Sequence, residues 1–507
     1  MRVSIAYPPL PSEKGVPLLS QNRQFQWFTE PTYIYPMVPA YAATLLKGAG
    51  HEVTWDDGIA SEQTYEEWMR QLVAEGPDLI LIETKTPVIK RHWRIIEELK
   101  GELPGVRVAL AGDHVTALPL ESFQNSPVDY VLTGGDYDFL LLNLADYLEG
   151  RARELEPGIY YRDGSGEVRS TGRFSLDHDL NSLPFVDRDL TKWWLYAYKN
   201  GNFKYRPGTY TMAGRDCWWR RDGGCTFCAW TVLYPKFRVR RPELLVDEVE
   251  FLVERYGVRE VFDDTGTFPA GGWLRRFADL MIERGLNERL RFGCNMRFGA
   301  LKREDYELLR RAGCRFILFG YESSNDHTLS RLNKGITMAQ QLEGVRMAAR
   351  AGLEPHLTIM FGYPWETRED VMRSMAAAAE MIKRGYVKTW QVTIVIPYPG
   401  TKLFEEAKRN GWLLTEDWDE YDMKRPVMRT PLSEEDVVEV TRKMYEVAFS
   451  PQYIIRRLLS IRDLDELKYV LWGARKMLGH VRDFSPGGVG RARGKGSGGG
   501  GEEPGAV

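Results

Sequence analysis

Cysteine is scarce in this chain, with five in 507 residues. That excludes a disulfide framework of the kind that holds small secreted domains together. Charge of one sign is also lacking. The formal net charge is −3, which argues against a general nucleic-acid binder, because such proteins are usually basic. No apolar run approaches the roughly 18 residues needed to span a bilayer. The first residues, Met-Arg-Val-Ser-Ile-Ala-Tyr, lack a signal-peptide pattern and read as a strand. No tandem repeat of short period is visible. These absences together predict a cytoplasmic protein with no membrane span. The length predicts two or three domains, and a hydrophobic content of 43% is enough for sizeable cores.

Three of the five cysteines fall within twelve residues, Cys217, Cys225 and Cys228, in a C-x7-C-x2-C pattern. In a reducing compartment such clustering points to a metal site. Three thiolates can hold three irons of a [4Fe–4S] cluster and leave the fourth open to a small molecule. The competing reading is a zinc knuckle. That needs a fourth ligand, and the nearest downstream histidine is His327. Cys294 and Cys314 read as buried small apolar residues.

Residues 1–150 alternate strand and helix patterns. Strands are expected at Val3–Tyr7, Glu52–Trp55, Asp78–Ile82, Val106–Ala111 and Tyr130–Leu132. Amphipathic segments such as Pro39–Gly48 and Phe139–Leu148 lie between them. Five such units predict a doubly wound, flavodoxin- or Rossmann-like parallel sheet, whose ligands bind beyond the carboxyl ends of the strands. Residues 151–205 read as a connecting segment with a hairpin near Tyr161–Val168. Residues 206–425 resume the alternation. Strands are expected at Thr209–Met212, Glu260–Phe262, Arg291–Met296, Arg315–Phe319, His356–Met360 and Thr389–Ile394, which matches a partial (β/α)6 barrel of TIM-like type. The cysteine loop follows the first of these strands, at the end where barrels carry active sites. Residues 426–484 read as a helical C-terminal region, and 485–507 as a disordered, Gly-rich tail.

Further segments lie at barrel spacing behind the cysteines. They are Phe262-Asp-Asp-Thr-Gly-Thr-Phe268, Phe319-Gly-Tyr-Glu-Ser-Ser324, Leu332-Asn-Lys-Gly335, Phe361-Gly-Tyr-Pro-Trp-Glu-Thr367 and Ile396-Pro-Tyr-Pro-Gly-Thr401. In order and together they resemble the radical S-adenosylmethionine (SAM) proteins that carry a cobalamin (B12)-binding domain before the barrel. Gly112-Asp-His-Val-Thr-Ala-Leu-Pro119 and Val128-Asp-Tyr-Val-Leu-Thr-Gly-Gly135 resemble segments of that B12-binding domain. The first cysteine gap departs from the family's usual three residues. Its seven residues include Trp218, Trp219, Arg220, Arg221 and Asp222.

The resemblance implies three cofactors: a [4Fe–4S] cluster on Cys217, Cys225 and Cys228, SAM at its open iron, and cobalamin. It implies Glu322 as a partner for SAM, with a surface salt bridge as the plainer alternative. Phe227, Asp263, Asp264, Arg297 and Gly320 are further cofactor-binding candidates, and a structural ion pair is the alternative for Arg297. His356 reads as a hydrogen-bonded structural histidine. On the first domain the candidates for cobalamin are Thr84, Lys85, Thr86, Gly112, His114, Gly134 and Gly135, without histidine on cobalt. The alternative is a sheet that has lost this ligand. Trp193, Trp194, Tyr196, Tyr198, Trp218 and Trp219 shape a pocket at the domain junction or pack it.

The activity implied is C-methylation of an unactivated carbon in a small molecule, through a 5′-deoxyadenosyl radical and methylcobalamin. Electrons would come from a donor such as flavodoxin or ferredoxin. Non-methylating cyclisation or rearrangement, and a non-catalytic cobalamin or metal sensor, are the alternatives. No residue is assigned a catalytic role beyond cofactor binding.

Overall fold

A computed structural model describes residues 1–19, 25–29 and 31–483. The first sheet contains β1 (Arg2–Tyr7), β2 (Glu52–Asp57), β3 (Leu79–Glu83), β4 (Arg107–Ala111) and β5 (Tyr130–Leu132). They run parallel in the order β2-β1-β3-β4-β5. Val3, Ile5, Leu81 and Ala109 face one core and Ile80, Ile82, Val108 and Leu110 the other, so both faces are covered. Continuous apolar strands of this kind need helices on each side. Helix α1 (Met37–Gly48) serves the first face, and α2 (Tyr65–Glu75) and α3 (Ile89–Glu102) serve the second. The start of α2 is set by a capping box between Thr64 and Glu67, and its end by Gly76 in the left-handed region. Helix α4 (Tyr137–Leu148) packs beside α1. The expected hairpin forms as β6 (Ile159–Arg162) and β7 (Val168–Ser170), which extend the sheet in antiparallel fashion.

The second sheet has six parallel strands in sequential order: β8 (Gly208–Thr211), β9 (Glu260–Asp263), β10 (Arg291–Met296), β11 (Cys314–Gly320), β12 (Glu354–Phe361) and β13 (Thr389–Ile394). Helices α5 (Pro242–Tyr256), α6 (Gly272–Glu283), α7 (Arg303–Arg311), α8 (Met338–Arg350) and α9 (Arg368–Lys383) alternate with them. The edge strands β8 and β13 do not pair with each other, so the barrel is open along one seam. First-domain residues bridge that seam. Gln391 of β13 hydrogen-bonds Gln26 at 2.9 Å. Asn200 donates to the Tyr33 carbonyl at 2.6 Å and to the Tyr210 hydroxyl of β8 at 2.9 Å. One apolar core runs from β1 and α1 into the barrel, so the two sheets share their packing.

At the N-terminal ends of the barrel strands a buried ionic network forms a floor. Arg315 pairs with Glu260 and, at 2.6 Å, with Glu354. Lys204 joins Glu354 at 2.5 Å to Glu466 at 3.0 Å. Glu466 lies in α12 (Leu464–Asp483), which follows α10 (Glu434–Glu446) and α11 (Pro451–Leu459). Among the described residues no helix is long and apolar enough to cross a membrane. The Gly-rich tail expected at 485–507 lies outside the described residues.

Candidate active site

The cysteine loop leaves a short ribbon, Gly214–Arg215 paired with Arg238–Val239. Trp218–Asp222 form a single tight turn of helix. Gly223 and Gly224 then adopt positive φ and return the chain to Cys225. The seven-residue gap is therefore closed by a turn, and all three cysteines line one cavity. The Thr226 N–H bonds the Leu332 carbonyl at 3.1 Å, and the Leu403 N–H bonds the Thr226 carbonyl at 2.9 Å, pinning the loop between two barrel turns. Among the described residues no three His, Cys, Asp or Glu side chains converge on one point, as a single bound ion requires.

The turn has its own clamp. Asp216 has a φ of 77°, uncommon for a residue with a side chain, and accepts from two nitrogens of Arg220. Arg220 is near enough to Cys217 and Cys228 for thiolate charge on either to raise its own basicity. Burial pushes the Cys228 thiol up to about 11, with Arg220 pulling the other way. Burial also raises the Cys217 thiol, which lies 2.9 Å from the Thr267 hydroxyl. Trp219 donates to the Asn333 carbonyl at 2.6 Å and packs against Gly335, where a Cβ would stand 2.3 Å from the ring. Arg297 stacks on Trp219 at 4.2 Å and points Nη1 at the Cys225 sulfur, 3.7 Å away. Its other partner is the Lys334 carbonyl, so it is not the carboxylate ion pair considered as its alternative.

The cavity is about 620 Å³, within the range of small-molecule sites. Besides the cysteines its upper wall holds Phe227, Asp264, Arg297, Gly320 and Glu322. Glu322 has a φ of 62° and pairs at 2.9 Å with Lys334, both nearly without solvent. A non-glycine residue held in this region is commonly kept there by function. The pair is buried at the cavity wall rather than on the surface. Asp263 differs from expectation. It is turned away from the cavity, and its carboxylate accepts from the Ala213 N–H at 2.7 Å, the Thr265 N–H and the Thr211 hydroxyl. Burial pushes it up to about 7, and it braces the lead-in to the cysteine loop. At the far end His356 bonds Thr389 at 2.9 Å while also lining the cavity. Burial draws its pKa down to about 3, so the ring is neutral.

Sequence reasoning missed part of this wall. Lys334 lies in the Leu-Asn-Lys-Gly segment and carried a signal, but its pairing with Glu322 was not anticipated. Leu18, Gln26, Phe28, Thr32 and Ile34 of the first domain also line the cavity, with no local signal to mark them. Of the six junction aromatics, Trp219 lines the cavity. Trp193 and Tyr196 are buried in packing, and Trp194 and Tyr198 are about half exposed.

The first-domain candidates are brought together, but away from the cavity. Thr84 hydrogen-bonds His92 at 2.7 Å, and His114 bonds Thr86 at 3.1 Å and Glu121 at 2.9 Å. Thr84, Lys85, Thr86 and His114 are all buried. A Cβ on Gly112 would meet the Thr84 carbonyl oxygen at 2.2 Å. Cβ atoms on Gly134 and Gly135 would strike the rings of Phe174 at 2.4 Å and Tyr234 at 1.8 Å. Trp418 stands edge-on to His114 at 5.4 Å and donates to Glu121 at 2.8 Å. The crevice between β1 and β3, where sheets of this order take their ligand, is crossed by Tyr7 and Tyr137, whose hydroxyls donate to buried Glu83. In this conformation the chain's own rings pack against these strand ends.

Comparison with known proteins gives two family matches. The model of the radical SAM superfamily matches residues 214–378, and that of the B12 binding domain matches residues 31–139. An uncharacterised methyltransferase of Pyrococcus horikoshii is 27% identical over 440 residues, covering 85% of this chain and 90% of that one. The anaerobic magnesium-protoporphyrin IX monomethyl ester cyclase of Cereibacter sphaeroides is 26% identical, covering 78% of this chain and 63% of the cyclase. The solved structure of TsrM from Kitasatospora setae, a radical SAM methyltransferase with cobalamin and a [4Fe–4S] cluster bound, superposes with a TM-score of 0.66. It is 16% identical and covers 88% of each chain.

Proposed function

We propose that this chain, in which a B12-binding domain precedes a radical SAM domain, is a cobalamin-dependent radical SAM enzyme that methylates an unactivated carbon of a small molecule. Its cofactors are a [4Fe–4S] cluster, SAM and cobalamin. The observation that carries the reading is that Cys217, Cys225 and Cys228 line the same cavity as Glu322 and Asp264. The donor set fits a cluster: three thiols with Arg297 and Arg220 beside them to offset negative charge. The cavity wall fits SAM, with a carboxylate at Glu322 for a ribose hydroxyl or an ammonium group.

When bound, these groups supply reductive carbon–sulfur cleavage, a radical able to take hydrogen, and a transferable methyl group. The chain's own residues bind, orient and shield. Cys217, Cys225 and Cys228 would hold the cluster. Lys334 fixes the Glu322 carboxylate at the wall. Phe227 and Trp219 keep water from the cluster end. The lower cavity, with His356, Gln391, Trp390 and Asn200, receives the substrate. Because His356 is held neutral, it serves as a hydrogen-bonding wall rather than a cation. The strand-end residues of the first sheet are covered by Trp418, Phe174 and Tyr234. An external donor such as flavodoxin or ferredoxin supplies the electron.

A second reading, ring closure without methylation, is supported by the cyclase of Cereibacter sphaeroides among the relatives. Anaerobic incubation with SAM, cobalamin, reductant and candidate substrates separates the two. Methyl transfer yields both 5′-deoxyadenosine and S-adenosylhomocysteine. Deoxyadenosine alone, with a substrate consumed, leaves the cyclisation reading.

A further inference from the structure

Scattered exposed apolar side chains are normal on a protein surface, but a concentration of them is not. Eight of the fourteen large exposed hydrophobics described lie between Phe449 and Leu471. They fall on α11 and α12 and on the turn before them. Ile455 is 57% exposed, Leu459 79% and Leu464 72%. Phe449, Ile454 and Leu458 are also exposed, and they line the cavity as well, so the apolar surface continues into its mouth.

The same segment is basic. Residues 451–475 carry five cations, Arg456, Arg457, Arg462, Lys468 and Arg475, and three carboxylates. Two of those carboxylates are already spent, Asp465 on Arg259 at 2.7 Å and Glu466 on buried Lys204. Lys383 and Lys388 of the neighbouring barrel floor meet α11 through their carbonyls. An exposed apolar face bordered by arginine and lysine matches an anionic lipid surface in both hydrophobicity and charge. The chain as a whole carries a net charge of −3, so this segment, with two more cations than carboxylates, runs against the overall balance.

We propose that α11 and α12 dock the protein on an anionic membrane surface, and that an apolar, lipid-soluble substrate passes from the bilayer into the cavity between Phe449, Ile454 and Leu458. The substrate clause rests on the enzymatic reading above, while the docking clause does not. Docking places Leu459 and Leu464 in the interfacial layer and the arginines at headgroup level. It needs no membrane-spanning helix.

The test is flotation of the purified full-length protein with vesicles of phosphatidylglycerol and phosphatidylcholine, against phosphatidylcholine alone. Wild type should float with the anionic vesicles. Leu459→Glu with Leu464→Glu should lower the partition coefficient at least about tenfold, since each burial lost is worth more than 1 kcal/mol. Arg462→Glu with Lys468→Glu should remove the preference for the anionic lipid. Circular dichroism and cluster absorbance confirm that the variants fold. Wild type that stays with the buffer, or variants that float equally well, overturn the proposal. So does light scattering that shows a wild-type dimer dissolved by the leucine changes, which would make a second copy the occupant. Deoxyadenosine formation is measured separately: its loss with flotation intact removes the enzymatic reading, and the converse removes the docking.

Discussion

Arg215 and Asp138 meet through two guanidinium nitrogens and both carboxylate oxygens, with their side chains essentially free of solvent. Asp138 opens α4 in the first domain, and Arg215 stands two residues before Cys217. Arg215 also reaches Asp136 at 2.7 Å, which in turn holds Arg238 across the ribbon. The cysteine loop is thus held in place by the domain ahead of it.

Asp138→Asn should destabilise the fold. Breaking a buried ion pair from one side costs roughly 3–5 kcal/mol because the remaining charge stays buried. The lower end is expected here, since Asp136 still faces Arg215. Chemical unfolding of the purified variant measures it, and a change below about 0.5 kcal/mol, the scale of ordinary surface substitutions, would remove the pair from the account of domain docking.

His178 should make stability depend on alkaline pH. Burial opposes its charge, but hydrogen bonds to Asp136 and Glu156 outweigh that and raise its pKa to about 9. A group raised in the folded state stabilises fully below its unfolded pKa of about 6.5 and loses that contribution as pH climbs through the folded value. The melting temperature should fall between about pH 6.5 and 9, and His178→Ala should flatten that slope.

Cys225→Ala, Cys228→Ala and Cys217→Ala should each abolish the visible absorbance of a reconstituted cluster. The three line one cavity despite the long first gap, so equal losses are expected. Retained iron and SAM cleavage in Cys217→Ala would exclude that residue as a ligand.

Arg220→Gln should shift the cluster potential to more negative values by tens of millivolts. Its positive charge lies beside Cys217 and Cys228, and cluster potentials follow local net charge. Potentiometric titration read by electron paramagnetic resonance measures the shift independently of turnover. An unchanged potential would reduce Arg220 to a brace for Asp216.

Trp418→Ala should speed cobalamin uptake. Trp418 covers His114 at the strand ends, and Lys90 ties its turn down through Asp417 at 2.7 Å. Stopped-flow absorbance of added cobalamin gives the rate, and the wild type should show a change in tryptophan fluorescence on binding. Equal rates would mean that the ring is not in the path.

Strand positions were legible because each is a local apolar run closed by a turn. Arg291–Met296 and Thr389–Ile394 form at the residues expected from the sequence. That the three cysteines, Glu322 and Asp264 would line one cavity was legible for a related reason: each follows a strand, and barrel ends gather such loops. Asp263 was misread. Its neighbour Asp264 has the same chemistry, and only the direction of each side chain separates a cavity wall from a buried brace.

The sequence by itself determined the two αβ layers, the close spacing of Cys217, Cys225 and Cys228 and the motif order, because these depend on patterns a few residues long. The tertiary structure alone decided what closes the barrel seam and what covers the first sheet. Gln26 meets Gln391 across 365 residues, and Trp418 reaches Glu121 across 297. Contacts at that separation leave no periodicity or spacing in the chain, since they arise only when the two layers bury a shared core.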